Sequence, residues 1–500
     1  AMPTNSSEQG VDRHKTAIPR QGLSAPMKTL AKHGYISGEF SIFDYGCGLG
    51  DDLRELEAHG IDAAGWDPGH LPDADVFDAD IVNLGFVINV IEDRDERIEA
   101  LVRSYELAGR LLVVSAMLAN DSHIQKFQQY KDGVLTSRNT FQKYFAQSEL
   151  QAFIEQTLEE SAIAVGPGIF YVFKDKLEEQ IFLSKRQRRH HQWKQLTQRP
   201  ATTVNRSERL INENPELCDR FWQSCLELGR IPFNEEFPDL TELSSIFGSA
   251  KRLFNLLAKD GAMDDFLQSQ AYRREDVTVY LALALLGKRK PYTQLNDALK
   301  RDVKALFGTY DEAKRTAREA LFQVANVGLI YESCIKAHEA LPASVLEQQH
   351  SLTLHINYLE SLPLLLRLYV GCATQLYGEF EGVSLIKIHI ASGKVSLMVY
   401  EGFDDTPLPM LRERIKVKMR EQDVDFYDYV DGYAPQPLYL KSMLIDHSFS
   451  DYSKQQSFDR RLQKLVPEIK GLIGPSKNEL YRQLHQRNKE IRGYRFYNCP

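Results

Sequence analysis

Short unbroken apolar runs dominate the first third of this 500-residue chain. Ile42-Phe43, Asp80-Ile81-Val82-Asn83-Leu84, Arg110-Leu111-Leu112-Val113-Val114-Ser115 and Ile169-Phe170-Tyr171-Val172-Phe173 have the length and composition of strands buried on both faces. Between two of them, Ile98, Leu101, Val102 and Tyr105 recur at helical spacing, with Asp93 or Asp95 as a start signal and Gly109 as a stop. Strand and helix alternate, which predicts a parallel α/β sheet over residues 12–176. Residues 201–340 read as helical. Val277, Tyr280, Leu281, Ala284 and Leu285 mark one amphipathic face, ended by Gly287 and the cationic Lys288-Arg289-Lys290-Pro291. Phe247-Gly248-Ser249-Ala250-Lys251-Arg252 reads as a tight turn into a helix that begins basic. Residues 341–500 change pattern again, to α+β. Leu362 to Tyr369 is an apolar helix, and Ser384–Ile390 and Val395–Tyr400 alternate as strands joined through Ala391-Ser392-Gly393. On the first of these, Lys387 and His389 share the face opposite Ile386, Ile388 and Ile390, which makes His389 a surface strand histidine.

The most informative break lies after the first strand, in Asp44-Tyr45-Gly46-Cys47-Gly48-Leu49-Gly50-Asp51-Asp52. Glycine is needed where the backbone takes positive φ or lies directly against a ligand. A strand that enters such a loop and leaves as a helix builds a nucleotide-sized cleft at the carboxyl end of a parallel sheet. The spacing is Asp-x-Gly-x-Gly-x-Gly, not the G-x-G-x-x-G that seats a pyrophosphate on a helix N-terminus. Asp51 and Asp52 also stand where a phosphate binder would avoid negative charge, so the loop suits a cationic ligand bearing an amine and hydroxyls. Ile61 to Asp67 reads as a second strand ending in an acid, placed to reach ribose hydroxyls. Only twelve residues separate Asp67 from Asp80. One βα unit is therefore expected to be trimmed away, with Asp78 or Asp80 as candidates to replace the acid that unit would carry.

Composition narrows the class without naming it. A net charge of -8 and a pI near 6.0 argue against global attraction to nucleic acid, although local basic patches still bind phosphate. The six cysteines form no C-x-x-C pair, so neither a zinc site nor a disulfide framework is signalled; Cys218 and Cys225 read as two thiols on one buried helix face. No apolar run is long enough to span a bilayer, the N-terminus has no signal-peptide core, and Ala1-Met2 reads as a cloning remnant; a cytoplasmic location is expected. Within Lys185-Arg186-Gln187-Arg188-Arg189-His190-His191-Gln192-Trp193-Lys194 the cations are dense and an aromatic is interleaved. Residues 177–200 thus read either as a solvated linker helix or as a grip on phosphates through Lys185, Arg186, Arg188 and Arg189.

The glycine loop resembles motif I of the class I methyltransferases that use S-adenosylmethionine (SAM). The resemblance implies a Rossmann-like domain in which Asp44, Gly46, Cys47, Gly48, Gly50, Asp67 and Asn83 line the cofactor. The acceptor is read from the loop after the next strand, Asn83-Leu84-Gly85-Phe86-Val87-Ile88-Asn89-Val90-Ile91-Glu92-Asp93. It lacks the Asp/Asn/Ser-Pro-Pro-aromatic tetrapeptide of DNA amino-methyltransferases, and the domain has no Pro-Cys nucleophile. Asn89 and Glu92, three apart, would converge if the segment turned helically, the first to hold an acceptor and the second to take a proton. On the other reading, Glu92 and Asp93 only begin the next helix.

Further stretches widen the resemblance. His14-Lys15-Thr16-Ala17-Ile18-Pro19-Arg20, the glycine loop, Asn83 to Asp93, Thr140 to Phe145, Leu228-Gly229-Arg230-Ile231-Pro232, Leu362 to Tyr369 and Glu381 to Lys387 together resemble the DNA phosphorothioation-associated methyltransferases. That likeness covers nearly the full length. It implies association with a bacterial DNA-modification or defence neighbourhood, with other DNA-modification proteins as partners, and leaves the acceptor open. The domains appended to the methyl-transfer fold make a nucleic acid, DNA first, the leading expectation. An RNA or small-molecule methyltransferase, or a SAM-binding scaffold without turnover, are the alternatives.

Overall fold

The apolar runs of the first third pair into one six-stranded sheet. The computed structural model describes residues 22–119, 124–189, 206–259, 261–287, 295–380, 382–430 and 432–498. His14 to Arg20, the basic run beyond Arg189, Lys288 to Pro291, Glu381 and Cys499 lie outside the described residues. The chain divides into two compact units. One is drawn from Ala1–Lys176, Tyr331–Ser361 and Cys372–Pro500, the other from Leu177–Ile330 and Leu362–Gly371.

In the first unit, helix α1 (Ala25–Lys32) precedes strand β1 (Ile42–Tyr45), helix α2 (Asp51–Ala58), β2 (Ala63–Trp66), β3 (Ala79–Gly85), helix α3 (Arg94–Leu107) and β4 (Ala108–Ser115). A small three-stranded sheet follows, from β5 (Gln128–Tyr130), β6 (Gly133–Leu135) and β7 (Phe141–Gln142), and then β8 (Ile163–Gly166) and β9 (Ile169–Phe173). The main sheet has the order β2-β1-β3-β4-β9-β8; β1 to β4 run parallel and β9 is antiparallel to both neighbours. Residues 67–78 contain turns and an isolated Asp67–Leu71 bridge but no helix and no paired strand, so the expected trimming is present and β2 is left as an edge. The sheet is covered on both faces, so burial is nearly continuous along its strands: Phe43, Val82, Leu84, Leu112, Val114, Phe170 and Val172 are sealed from solvent on one face, and Leu111, Val113 and Tyr171 on the other. Asp93 caps α3 by accepting from the backbone N–H groups of Asp95 and Glu96, at 2.9 and 3.1 Å.

A second sheet in the same unit is wholly antiparallel, in the order β10-β11-β12-β13-β14-β15. Its strands are β10 (Val345–Glu347), β11 (Ser351–His355), β12 (Leu385–His389), β13 (Lys394–Glu401), β14 (Met410–Lys418) and β15 (Asp423–Asp428). The hairpin at Ala391-Ser392-Gly393 forms as expected between β12 and β13.

The other unit is helical. Its Pro215–Leu228 helix buries Cys218 and Cys225 on one face beside Phe221 and Trp222, with both thiols free. Gly248, at φ 88°, turns the Leu240–Phe247 helix into Ala250–Leu257, whose Ser249 cap accepts from Arg252. One expectation changes here. Asp276 to Leu283 are buried without interruption, so the Ala262–Leu286 helix is central to its unit and has no amphipathic face over that stretch. The Lys176–Arg186 helix contains the first two cations of the basic run.

Candidate functional site

Gly46, Gly48 and Gly50 take φ of 87°, 54° and 73°, a left-handed path that side-chain-bearing residues avoid. The path folds the loop over the carboxyl end of β2. The N–H groups of Gly46 and Cys47 both donate to the Trp66 carbonyl, at 2.7 and 3.1 Å, and the Gly48 N–H donates to Asp67 Oδ2 at 3.1 Å. The other carboxylate oxygen of Asp67 accepts from the N–H groups of Gly69 and His70, at 2.9 Å each, and faces His70 Nδ1 at 3.0 Å. Asp67 thus joins the glycine loop to the turn that follows β2.

Asp44, nearly sealed from solvent at the end of β1, accepts from Asn83 Nδ2 at 2.8 Å across the β1–β3 pair. The bond requires Gly85, because a Cβ there would meet the Asn83 amide at 2.7 Å. Gly65 is a second glycine that motif reasoning missed: a Cβ on it would press on the Asp44 carbonyl and the Leu53 side chain, both at 2.9 Å. Its signal was available, since glycine inside a short strand marks close backbone approach.

Three buried polar atoms at this edge have no hydrogen-bond partner among the described residues: Asn83 Oδ1, Asn89 Oδ1 and Ser115 Oγ. Gly85 and Ser115 are register partners, so β3 and β4 deliver Asn83 and Ser115 to the same end of the sheet. Buried polar atoms are normally paired, and leaving one unmade costs about 1–3 kcal/mol. Phe86, immediately beyond β3, has φ 59°, and its N–H donates to the Ser115 carbonyl at 2.9 Å. A non-glycine residue held there costs about 1–3 kcal/mol, and such residues cluster at functional sites.

The structure revises four expectations about site chemistry. Asp80 accepts from the N–H and hydroxyl of Ser41, at 3.0 and 2.9 Å, and the Ser41 bonds hold its carboxyl below the usual range. It stands at the amino end of β3, as Asp78 must, so neither replaces an acid at the carboxyl edge. The acids that make the loop anionic are engaged: Asp51 pairs with Arg54, and buried Asp52 accepts from the Ser24 N–H at 2.7 Å, tying α1 to α2. Asn89 sits in a turn closed by Val90 N–H on the Val87 carbonyl, and Glu92 lies on the non-helical connection before the Asp93 cap, so no helical turn brings the two together. Asn89 is sealed from solvent and its backbone carbonyl accepts from the Lys143 N–H at 2.7 Å, whereas Glu92 is half-buried.

Fourth, the basic quartet is not an open strip. Arg186 stacks on Phe182, and Arg188 donates to the Glu227 carbonyl at 3.2 Å. Arg189 pairs with Glu275 at 2.7 Å and lies over the Tyr272 ring, leaving Lys185 as the exposed member of the four.

Cys47, buried beside the loop, has its thiol pushed up to about 12, first by burial and then by the negative charges of Asp44 and Asp67. It is therefore a neutral packing group at physiological pH and no nucleophile. Iodoacetamide at pH 8 is expected to leave Cys47 unmodified in the folded chain and to label it after denaturation. Rapid native labelling, read by peptide mass spectrometry, would contradict this environment. Among the described residues no cluster of metal-ligating side chains occurs, and no helix is long and apolar enough to cross a membrane.

No family model and no curated protein sequence matches the chain. Among solved structures, it is similar to the magnesium protoporphyrin IX methyltransferase of Synechocystis PCC 6803 with bound S-adenosylhomocysteine, at 14% identity and a TM-score of 0.24. That match covers 33% of this chain and 94% of the other. It is also similar to the Burkholderia thailandensis 1,6-didemethyltoxoflavin-N1-methyltransferase with bound 1,6-didemethyltoxoflavin and S-adenosylhomocysteine, at 14% identity and a TM-score of 0.23. The second match covers 30% of this chain and 79% of the other.

Proposed function

We propose that the chain is a SAM-dependent methyltransferase acting on a nucleic acid, DNA first, in a bacterial modification or defence setting. The observation that carries the cofactor reading is the left-handed glycine loop closed onto Asp67 at the end of β2, beside buried polar atoms that have no partner among the described residues. A cradle of bare backbone admits an adenosyl group closely, and a carboxylate at the end of the second strand suits ribose hydroxyls. Bound there, SAM supplies an electrophilic methyl group on a sulfonium.

This chain's residues would then bind and orient. Gly46, Gly48 and Gly50 keep side chains out of the cradle; Asp67 accepts from the ribose. The Asp44–Asn83 pair fixes the floor of the cleft, with Asn83 Oδ1 left to accept from the ligand. Asn89 Oδ1, buried and without a partner among the described residues, suits an N–H of the acceptor, because an amide oxygen accepts and does not donate. Most of the rate enhancement would come from holding acceptor and donor in line, which can supply about 7–11 kcal/mol. Glu92 remains the candidate to take a proton. The near-full-length resemblance to the phosphorothioation-associated family supports the DNA setting.

Methyl-labelled SAM incubated with the chain and, separately, DNA, tRNA and a small-molecule extract tests the acceptor. Label in DNA is the expected result. Label confined to tRNA or small molecules overturns the DNA reading, and no label in any pool despite SAM binding overturns the enzyme reading.

A further inference from the structure

One face of the antiparallel sheet is apolar. Leu352, Leu354, Ile386, Ile388, Val395, Leu397, Ile415 and Val417 are wholly buried there. Register fixes what stands on the other face. Thr353, Lys387, Ser396, Lys416 and Asp425 form one row across five strands; Ser351, His389, Lys394, Lys418 and Asp423 form the next. Strand spacing of about 4.8 Å sets these lysines at short, regular intervals. Lys394 lies directly opposite Lys418, an arrangement of like charges that destabilises an antiparallel pair.

Neutralisation is incomplete. Lys418 pairs with Asp425 at 2.9 Å and Lys387 with Glu347 at 3.1 Å. Lys394, Lys416 and Arg414 have no carboxylate partner among the described residues. With Arg414, from the adjoining row, and Glu347, the face carries five cations against three carboxylates, in a chain of net charge -8. His389 reports the local field: its pKa is pushed down to about 4, first by burial and then by Lys387, His350, Lys416 and Lys394. Aromatic rings adjoin the cations. Lys416 lies 5.4 Å from the Tyr427 ring and Arg414 5.7 Å from Tyr429, and both tyrosines contact Tyr433, which is half exposed.

We propose that this sheet face binds single-stranded nucleic acid, with phosphates on Lys394, Lys416 and Arg414 and a base stacked on Tyr433. Cations track a backbone, and an exposed ring can stack only on a base freed from a duplex. The inference deepens the nucleic-acid reading above and rests on it. It moves the contact surface from the basic run at 185–189 to a sheet.

The test is fluorescence anisotropy of the full chain with a labelled oligothymidylate and with a duplex of equal length, across a salt series. Lys394→Gln with Lys416→Gln is expected to weaken single-strand binding and flatten the slope of log affinity against log salt by about 1.4, at ~0.7 per lost contact. The melting temperature should hold or rise, because the opposed lysines are relieved. Tyr433→Ala should weaken binding with the slope unchanged. A double variant with the parental slope, or a parent that prefers the duplex, overturns the proposal. The labelled-methyl assay separates this from the substrate reading: label in DNA with an unaltered slope sinks the surface alone, and a flattened slope without label in nucleic acid sinks the substrate alone.

Discussion

Gly46→Val is expected to abolish SAM binding. A Cβ at Gly46 would stand 2.3 Å from Val87 Cγ2, far inside van der Waals contact, so either the loop or the Val87–Val90 turn must shift. The backbone adds a second penalty. At φ 87° an L-residue meets left-handed sterics of about 1–2 kcal/mol, and a β-branched side chain fares worse than most. Both effects fall where the glycine loop meets the turn that follows β3. Gly46→Ala with Val87→Ala separates them, since it restores space but not the backbone preference; partial recovery of binding is expected. Differential scanning calorimetry should show the first unit still folded in both variants. Gly46→Val binding SAM like the parent would remove the glycine loop from the site.

Asp67→Ala is expected to raise the SAM dissociation constant by roughly one to two decades, from loss of a charged hydrogen bond contributing about 1.5–3 kcal/mol. The same change frees the Gly48, Gly69 and His70 N–H groups, so it also loosens the loop's closure on β2. Asp67→Asn should fall between. Its amide oxygen can still accept from Gly69 and His70, but its amide nitrogen cannot accept from Gly48. Equal affinities for all three proteins, by titration calorimetry, would mean that Asp67 only shapes its turn.

What the sequence made legible was local. Continuous apolar runs gave β1, β3, β4 and β9, and the twelve-residue gap between Asp67 and Asp80 exposed the trimmed unit, because a crossover with its own helix cannot fit. The glycine loop was legible since three positive-φ positions at alternate residues have few substitutes. Non-local pairings were not legible. Nothing near Asp52 announces that it holds Ser24, and nothing near Arg189 announces Glu275 and Tyr272, because those partners lie 28, 86 and 83 positions away in sequence. The helical periodicity at Val277 to Leu285 failed for a related reason: neighbours from elsewhere in the chain bury the whole circumference. Asp80 shows a further limit, as a carboxylate near a motif cannot be assigned to either end of a strand until the register with β1 is known.

The central claim is that the cleft at the ends of β1 and β2 takes SAM. Titration calorimetry of SAM, S-adenosylhomocysteine and NAD into the parent chain and Gly46→Val tests it most directly. The parent is expected to bind SAM and its demethylated product saturably, one to one, Gly46→Val neither of them, and NAD is expected to give no heat. Tight NAD binding lost in Gly46→Val, or SAM binding indifferent to that substitution, would contradict it.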